Sequence, residues 1–145
     1  MGLDMYLRSR KYISGWKRVN TEAEMTEWEH FIDFYDLQDF VTESSPHGYI
    51  ELCVAYWRKA HTVHEWFVRN VQGGVDECQP TYVRREQLEE LRTECLRQLV
   101  DLSGVDQDAE TEEGWLAYQL KNTVAQIDKV LKLGDDWDFI YQSSW

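Results

Sequence analysis

The sequence has few basic residues, and two long stretches contain none. It carries 15 Lys and Arg against 27 Asp and Glu, which gives a formal net charge of −12 over 145 residues. No base occurs between Arg18 and Arg58 or between Arg97 and Lys121, whereas nine and six acids occur there. Phosphate contacts need Lys and Arg, so this charge argues against direct nucleic-acid binding and favours a basic partner.

Cysteine and long apolar runs are also scarce. The three cysteines (Cys53, Cys78 and Cys95) are an odd number without CxxC spacing, which favours free thiols over a disulfide framework. No apolar run approaches the roughly 18 residues of a spanning helix, and the N-terminus has no apolar signal core. We therefore expect a cytoplasmic protein that does not enter a membrane.

Apolar residues are nevertheless plentiful and regularly spaced. They make up 43% of the chain, which excludes a disordered protein, and the length predicts a single domain, 1–145. Alternation predicts a strand at each terminus, from Leu3 to Leu7 and from Trp137 to Tyr141.

Helical spacing of the apolar residues predicts four helices between these strands. The first follows a capping box, Thr21 with Glu24, and has an apolar stripe: Met25, Trp28, Ile32 and Tyr35. The second starts at Ser45-Pro46 and ends at Gly73-Gly74, the third covers about residues 84–101, and the fourth follows an acidic loop at 103–114. We predict an α+β fold with about four helices packed on a small antiparallel sheet of the N- and C-terminal strands.

The second predicted helix places His61 and His64 on one face, within its apolar stripe. With Asp76, Glu77 or Cys78 they would supply metal ligands, but the spacing matches no known zinc motif, and the alternative is two hydrogen-bonded core histidines. No GxSxG, P-loop or GxGxxG motif occurs. We therefore assign no catalytic residue, metal or cofactor, and favour a protein that is not an enzyme.

Aromatic and basic residues in the same region form a candidate small-ligand site. Rings can stack on a nucleotide base while cations hold its phosphate. The candidates are Trp57, Arg58, His61, His64 and Arg69. The alternative is ordinary solvated charge, in which Glu65 pairs with Arg69 one helical turn away.

The acidic stretches predict a partner-binding surface. Its candidates are Glu22, Glu29, Asp33 and Asp36 on the first helix, and Asp106, Asp108, Glu110, Glu112 and Glu113 in and after the acidic loop. Spaced carboxylates can imitate DNA phosphates and occupy a basic groove. The alternative is a solvated helical face and an exposed loop.

Four segments resemble a family of small, uncharacterised proteins encoded by bacteriophages and prophages: MGLDMYL (1–7), AYWRKAHTVHEWFV (55–68), GVDEC (74–78) and DFIYQSSW (138–145). The resemblance implies a phage accessory protein in the host bacterial cytoplasm and supplies no catalytic residues.

Charge and resemblance together predict a non-enzymatic protein that binds and inhibits or redirects a bacterial protein. The expected partner is a nucleic-acid-binding or defence protein, which would make the role anti-defence. A nucleotide-binding or sponge protein is the alternative, a metal-dependent enzyme is less favoured, and homodimer formation stays open.

Overall fold

The computed structural model describes residues 2–106 and 110–145 and has the predicted α+β fold. Its elements in chain order are β1 (Asp4–Ser14), α1 (Glu22–Phe34), a 3-10 helix (Gln38–Phe40), β2 (His47–Arg58), α2 (His61–Asn70), β3 (Thr81–Val83), α3 (Arg85–Asp101), α4 (Glu112–Val130) and β4 (Trp137–Ser144). None of the helices among the described residues combines the length and apolar character that crossing a bilayer requires.

The four strands form one antiparallel sheet in the order β2-β1-β4-β3. The two terminal strands are therefore neighbours at its centre, which confirms the prediction from their alternating pattern. At one edge, β3 pairs with β4 and places Tyr82 opposite Ile140. The sequence did not predict the two edge strands, β2 and β3.

Strand β2 replaces the first half of the predicted central helix. The helical prediction is wrong for residues 47–58, and α2 begins only at His61. Ala55 and Trp57 are buried, whereas Tyr56 between them is exposed, which is the alternation of a strand. Apolar residues there also recur every three or four positions, so periodicity alone was ambiguous, while the aromatic and β-branched residues favour a strand.

The backbone of one residue of β2 is paired by a side chain from α4. The Gln126 carboxamide accepts a hydrogen bond from the Tyr56 N–H (2.9 Å) and donates one to the Tyr56 carbonyl (3.1 Å). Two turns earlier on the same helix, the Gln119 amide donates to the Lys59 carbonyl at 3.1 Å. These bonds satisfy backbone groups at and beyond the end of an edge strand.

The chain divides into two compact units, and the larger comprises Met1–Ser9 and Leu52–Trp145. In its core, the rings of Phe67 and Tyr141 stack with their centroids 3.9 Å apart. The buried Trp57 indole donates to the Thr123 hydroxyl at 2.9 Å, so its polar atom is satisfied. That the whole chain acts as a single domain stays a prediction.

The smaller unit, Arg10–Glu51, has its own apolar cluster of Ile13, Trp28 and Ile32. Gly15 packs directly on this cluster, because a Cβ atom there would lie 2.4 Å from the indole of Trp28. The Gly15 N–H also donates to the Pro46 carbonyl at 2.7 Å. Only glycine permits this approach of backbone to ring.

The other predicted helices are confirmed. The Thr21 hydroxyl accepts from the Glu24 N–H (3.3 Å), and the Glu24 carboxylate accepts from the Thr21 N–H (2.6 Å), as a capping box requires. This backbone hydrogen bond lowers the pKa of Glu24. Helix α3 begins and ends within one residue of its prediction, and α4 follows the acidic loop.

Candidate functional site

The acidic residues predicted on the first helix lie at the surface of α1 and of the turn that follows it. Glu22, Glu29, Asp33 and Asp36 are all exposed. Among the described residues, no cationic group lies within ion-pair distance of these four carboxylates, whereas Glu27 on the same helix pairs with Lys11 at 2.6 Å. The Asp33 carboxylate accepts a hydrogen bond from the Gln38 amide at 2.8 Å, and all four carboxylates are exposed to a partner.

Exposed aromatic rings lie between and beside these carboxylates. Phe34, Tyr35 and Phe40 have 71%, 60% and 79% of their surface exposed. Helix α1 ends at Phe34, so Tyr35 leaves the apolar stripe in which the sequence placed it. We call residues 33–36 together with Asp39 and Phe40 the acidic-aromatic patch.

Two rings of the patch contact each other, and one of them also contacts Phe31, which packs on the apolar cluster of the unit. Phe34 and Tyr35 meet edge to face at 4.9 Å between centroids, and Tyr35 contacts Phe31 in the same way at 5.6 Å. Large apolar side chains grouped at a surface are typical of interaction sites. Two consecutive aromatic residues at the end of a helix, Phe34 and Tyr35, are the sequence signal from which this surface could have been predicted.

The second group of predicted acids belongs to the other unit. Asp106, Glu110, Glu112 and Glu113 are exposed, and Asp108 lies outside the described residues. Glu112 and Glu113 form the first turn of α4, where the Thr111 hydroxyl accepts from the Gly114 N–H at 3.0 Å. Acidic side chains stabilise a helix N-terminus, so these two have a local structural role.

His64 lies at the centre of a buried polar network. Its ring is 5% exposed, with Nδ1 2.7 Å from the Tyr141 hydroxyl and Nε2 2.9 Å from Oδ2 of Asp76. Asp76 also accepts from the Trp145 indole (3.1 Å) and the Ser143 hydroxyl (3.2 Å). The network thus ties α2 and the loop after it to the end of β4.

The partners of His64 determine which ring nitrogen carries the proton. Burial raises the pKa of Tyr141, and the charges of Asp76 and Cys78 raise it further, so the hydroxyl beside Nδ1 keeps its proton. The Asp76 carboxylate only accepts, so Nε2–H donates to it. Both ring nitrogens are engaged, which leaves His64 neither a free base nor a free ligand atom.

Asp76 links this network to pH. Burial alone would raise its pKa, but hydrogen bonds from His64, the Cys78 N–H and Trp145 outweigh burial and lower it below the ordinary value of 3.8. We expect its stabilising contribution to be complete above that value and to be lost as the pH falls through the lower folded-state pKa. Urea unfolding from neutral pH to about pH 3 should show a smaller acid-induced loss in Asp76→Asn than in the native protein, and equal losses would contradict this assignment.

A cleft of about 400 Å³ opens beside the network, lined by His61, His64, Glu65, Val68, Arg69, Gly74, Asp76 and Trp145. The exposed side of α2 contributes His61 and Arg69, and the Trp145 ring lies 6.3 Å from His61 between centroids. Within residues 2–106 and 110–145 no group of three or more His, Cys, Asp or Glu side chains is arranged to hold a metal ion.

The structure separates the residues of the predicted ligand site. His61, His64 and Arg69 share the cleft, but Trp57 is buried in the core and Arg58 faces away from it on β2, 3.9 Å from the Asp4 carboxylate. The expected pair of Glu65 with Arg69 does not occur among the ion pairs of the described residues. Trp57 therefore stabilises the core and cannot stack on a ligand.

The two features differ in chemical character. The His64 network is saturated with internal hydrogen bonds, which suits it to holding the fold together, whereas the acidic-aromatic patch presents exposed carboxylates and exposed rings. No model of a known protein family, no curated protein and no solved structure matches this chain.

Proposed function

We propose that the protein is a non-enzymatic binding protein whose acidic-aromatic patch docks on a basic, partly apolar surface of a bacterial protein. One observation carries this proposal: three largely exposed aromatic side chains alternate with the carboxylates of Asp33, Asp36 and Asp39 at the end of α1. Such a surface has two properties of a protein-binding hot spot: its rings can be buried when the partner binds, and its charges can complement those of the partner.

The two kinds of side chain contribute differently. Burying one large apolar side chain contributes about 1.5–3 kcal/mol, so the rings supply most of the affinity. The carboxylates steer the encounter and select a basic partner, and the net charge of −12 extends that field over the whole protein. A DNA-binding groove has the matching character, because it presents cations to phosphates and apolar surface to bases.

The resemblance to phage proteins is consistent with such a binding role. A phage accessory protein with such a surface would occupy the nucleic-acid groove of a host regulator, nuclease or defence protein and thereby inhibit or redirect it. The carboxylates would take the positions of phosphates, and Phe34, Tyr35 and Phe40 would contact the apolar surface between the cations. The cytoplasm of the host is where such a partner is found.

The test compares two double variants in affinity capture from bacterial lysate, followed by calorimetry with the recovered partner. We expect Phe34→Ala/Phe40→Ala to weaken binding by roughly 100- to 1,000-fold, because each truncated ring removes a hot-spot contact. Trp115→Ala/Tyr118→Ala is the matched control, since these rings are also about half exposed and stack on each other at 5.5 Å. A partner that binds both variants equally well would disprove the proposal.

The carboxylates make a separate prediction about rates. Asp33→Asn/Asp36→Asn should slow association by about 10-fold at low salt and leave dissociation almost unchanged, because charges act mainly on the encounter. Raising the ionic strength should remove the difference between this variant and the native protein. Stopped-flow association kinetics at two salt concentrations measure both effects, and a rate that does not depend on salt would contradict the role given to the charges.

A further inference from the structure

A second cleft, of about 470 Å³, lies entirely within the smaller unit. It is lined by Gly15, Trp16, Lys17, Arg18, Trp28, Val41, Glu43 and Pro46. Its volume is in the range of small-molecule sites, which combine apolar and aromatic walls with a few polar groups. No residue of the acidic-aromatic patch or of the His64 network lines this cleft. Helix α1 contributes Trp28 to the cleft and residues 33 and 34 to the patch.

The cleft brings together two cations that have no ion-pair partner. In this acidic unit Arg10 pairs with Glu51 and Lys11 with Glu27. Lys17 and Arg18 are exposed, and in the part of the chain that the structure describes no carboxylate lies within ion-pair distance of either one. Two adjacent, unneutralised cations at the rim of a cleft are suited to a phosphate group.

The loop that carries these cations is held in place by its backbone. The N–H groups of Val19 and Asn20 both donate to the Trp16 carbonyl, at 3.1 and 3.0 Å, and the Asn20 side chain donates to the Ser14 carbonyl. Trp16 is itself anchored, because its N–H donates to the Ser14 hydroxyl at 3.3 Å. A loop fixed in this way loses little conformational freedom when a ligand binds.

Aromatic and apolar groups complete the cleft. Trp16 has 40% of its surface exposed, so its indole is free to stack on a planar ligand, whereas Trp28 is buried against Gly15. Val41 and Pro46 add apolar surface. Stacking on an exposed indole is a general way to bind a nucleobase.

The remaining polar residue of the cleft, Glu43, favours one base over the others. Its exposed carboxylate takes part in no hydrogen bond or ion pair among the residues described. A carboxylate accepts hydrogen bonds through both oxygens and suits two adjacent N–H donors. Guanine presents such a pair on its Watson–Crick edge, whereas adenine presents one donor next to an acceptor.

We propose that this cleft binds a guanine nucleotide, with the base stacked on Trp16 and hydrogen-bonded to Glu43 and the phosphate held by Lys17 and Arg18. The assignment moves the nucleotide site that the sequence predicted around Trp57 and His61 to a different part of the chain. It does not depend on the proposed partner-binding function, because it uses none of the residues of the acidic-aromatic patch.

Titration calorimetry of the full chain with GMP, AMP, guanosine and inorganic phosphate tests the proposal. We expect GMP to bind in roughly the micromolar range and AMP at least about 10-fold more weakly. Trp16→Ala should weaken GMP binding by about 10-fold or more, while Trp115→Ala, the matched exposed tryptophan, should leave it unchanged. Phe34→Ala/Phe40→Ala should bind GMP normally, so that failure of this proposal and failure of the partner-binding proposal can be told apart.

Two further variants assign the polar contacts. Glu43→Gln should abolish the preference for GMP over AMP, because a carboxamide offers only one acceptor atom. Lys17→Ala/Arg18→Ala should weaken GMP binding by about 10-fold and leave guanosine binding unchanged, with Lys121→Ala/Lys132→Ala as the matched control. Absence of GMP binding, equal affinity for AMP, or displacement of GMP by an equal concentration of inorganic phosphate would each overturn the proposal.

Discussion

Replacing Asp76 with alanine is expected to lower the free energy of unfolding by about 2–3 kcal/mol at neutral pH. The substitution removes the acceptor for the buried Nε2–H of His64 and for the Ser143 hydroxyl, and it releases the Trp145 indole. The cost is dominated by His64, which is 5% exposed and loses the acceptor of its Nε2–H. The Asp76 side chain is itself 22% exposed, which keeps the expected loss below that of breaking a fully buried pair.

Asp135→Ala is the matched control for this prediction. Asp135 also lies beside a cation, 3.6 Å from the Arg85 guanidinium, but its side chain is fully solvated. We expect its removal to change the free energy of unfolding by less than about 0.5 kcal/mol. Urea unfolding followed by circular dichroism measures both variants, and equal small effects would mean that His64 does not depend on Asp76.

Gly15→Ala is expected to destabilise the smaller unit by about 2–3 kcal/mol, the cost of overpacking a filled core. The added methyl carbon would lie 2.4 Å from Cε2 and 2.5 Å from Nε1 of Trp28, far inside contact distance. Trp28 cannot retreat easily, because it packs with Ile13 and Ile32 in the cluster of that unit. Hydrogen exchange of the α1 amides is the most direct measurement, since α1 carries Trp28.

Gly48→Ala provides a graded comparison within the same unit. A Cβ at Gly48 would lie 3.2 Å from the edge of the Phe31 ring, which is only partly buried and can shift. We expect a loss below about 1 kcal/mol and little change in the exchange of α1. If the α1 amide hydrogens exchanged no faster in Gly15→Ala than in Gly48→Ala, the close packing of Gly15 on the indole would not contribute to stability.

Elements with a strong local pattern were predictable from the sequence. The first strand alternates in sequence and in burial, because one face of β1 lies on the core, and α1 carries its capping box in four residues. The last strand was predictable from its sequence alternation, although Phe139, Ile140 and Tyr141 are all buried. Strand β2 was not predictable in this way, because it is an edge strand in which only Ala55 and Trp57 are buried. The pair Ala55 and Trp57 fits a strand, but the helical spacing of Ile50, Cys53, Trp57 and Ala60 competes with so short an alternation.

The candidate sites depended on contacts that sequence spacing does not encode. His64 was recognisable as a polar residue in an apolar stripe, but Tyr141 lies 77 positions away and Asp76 lies beyond two glycines. The cleft around Trp16 joins three separate segments of the smaller unit. By contrast, the exposed carboxylates of α1 were predictable. The apolar stripe shows which face of the helix is buried, and the 3.6-residue period then gives the residues on its exposed side.

The Gln126 carboxamide that pairs with Tyr56 acts as a single-residue strand supplied by a helix. An incoming chain that extended the sheet at Tyr56 would first have to displace this carboxamide, and would recover only the hydrogen bonds that it broke. The opposite edge offers only the three residues of β3 as a template. Strand addition is therefore blocked at Tyr56 on one edge of the sheet and limited to a short template on the other.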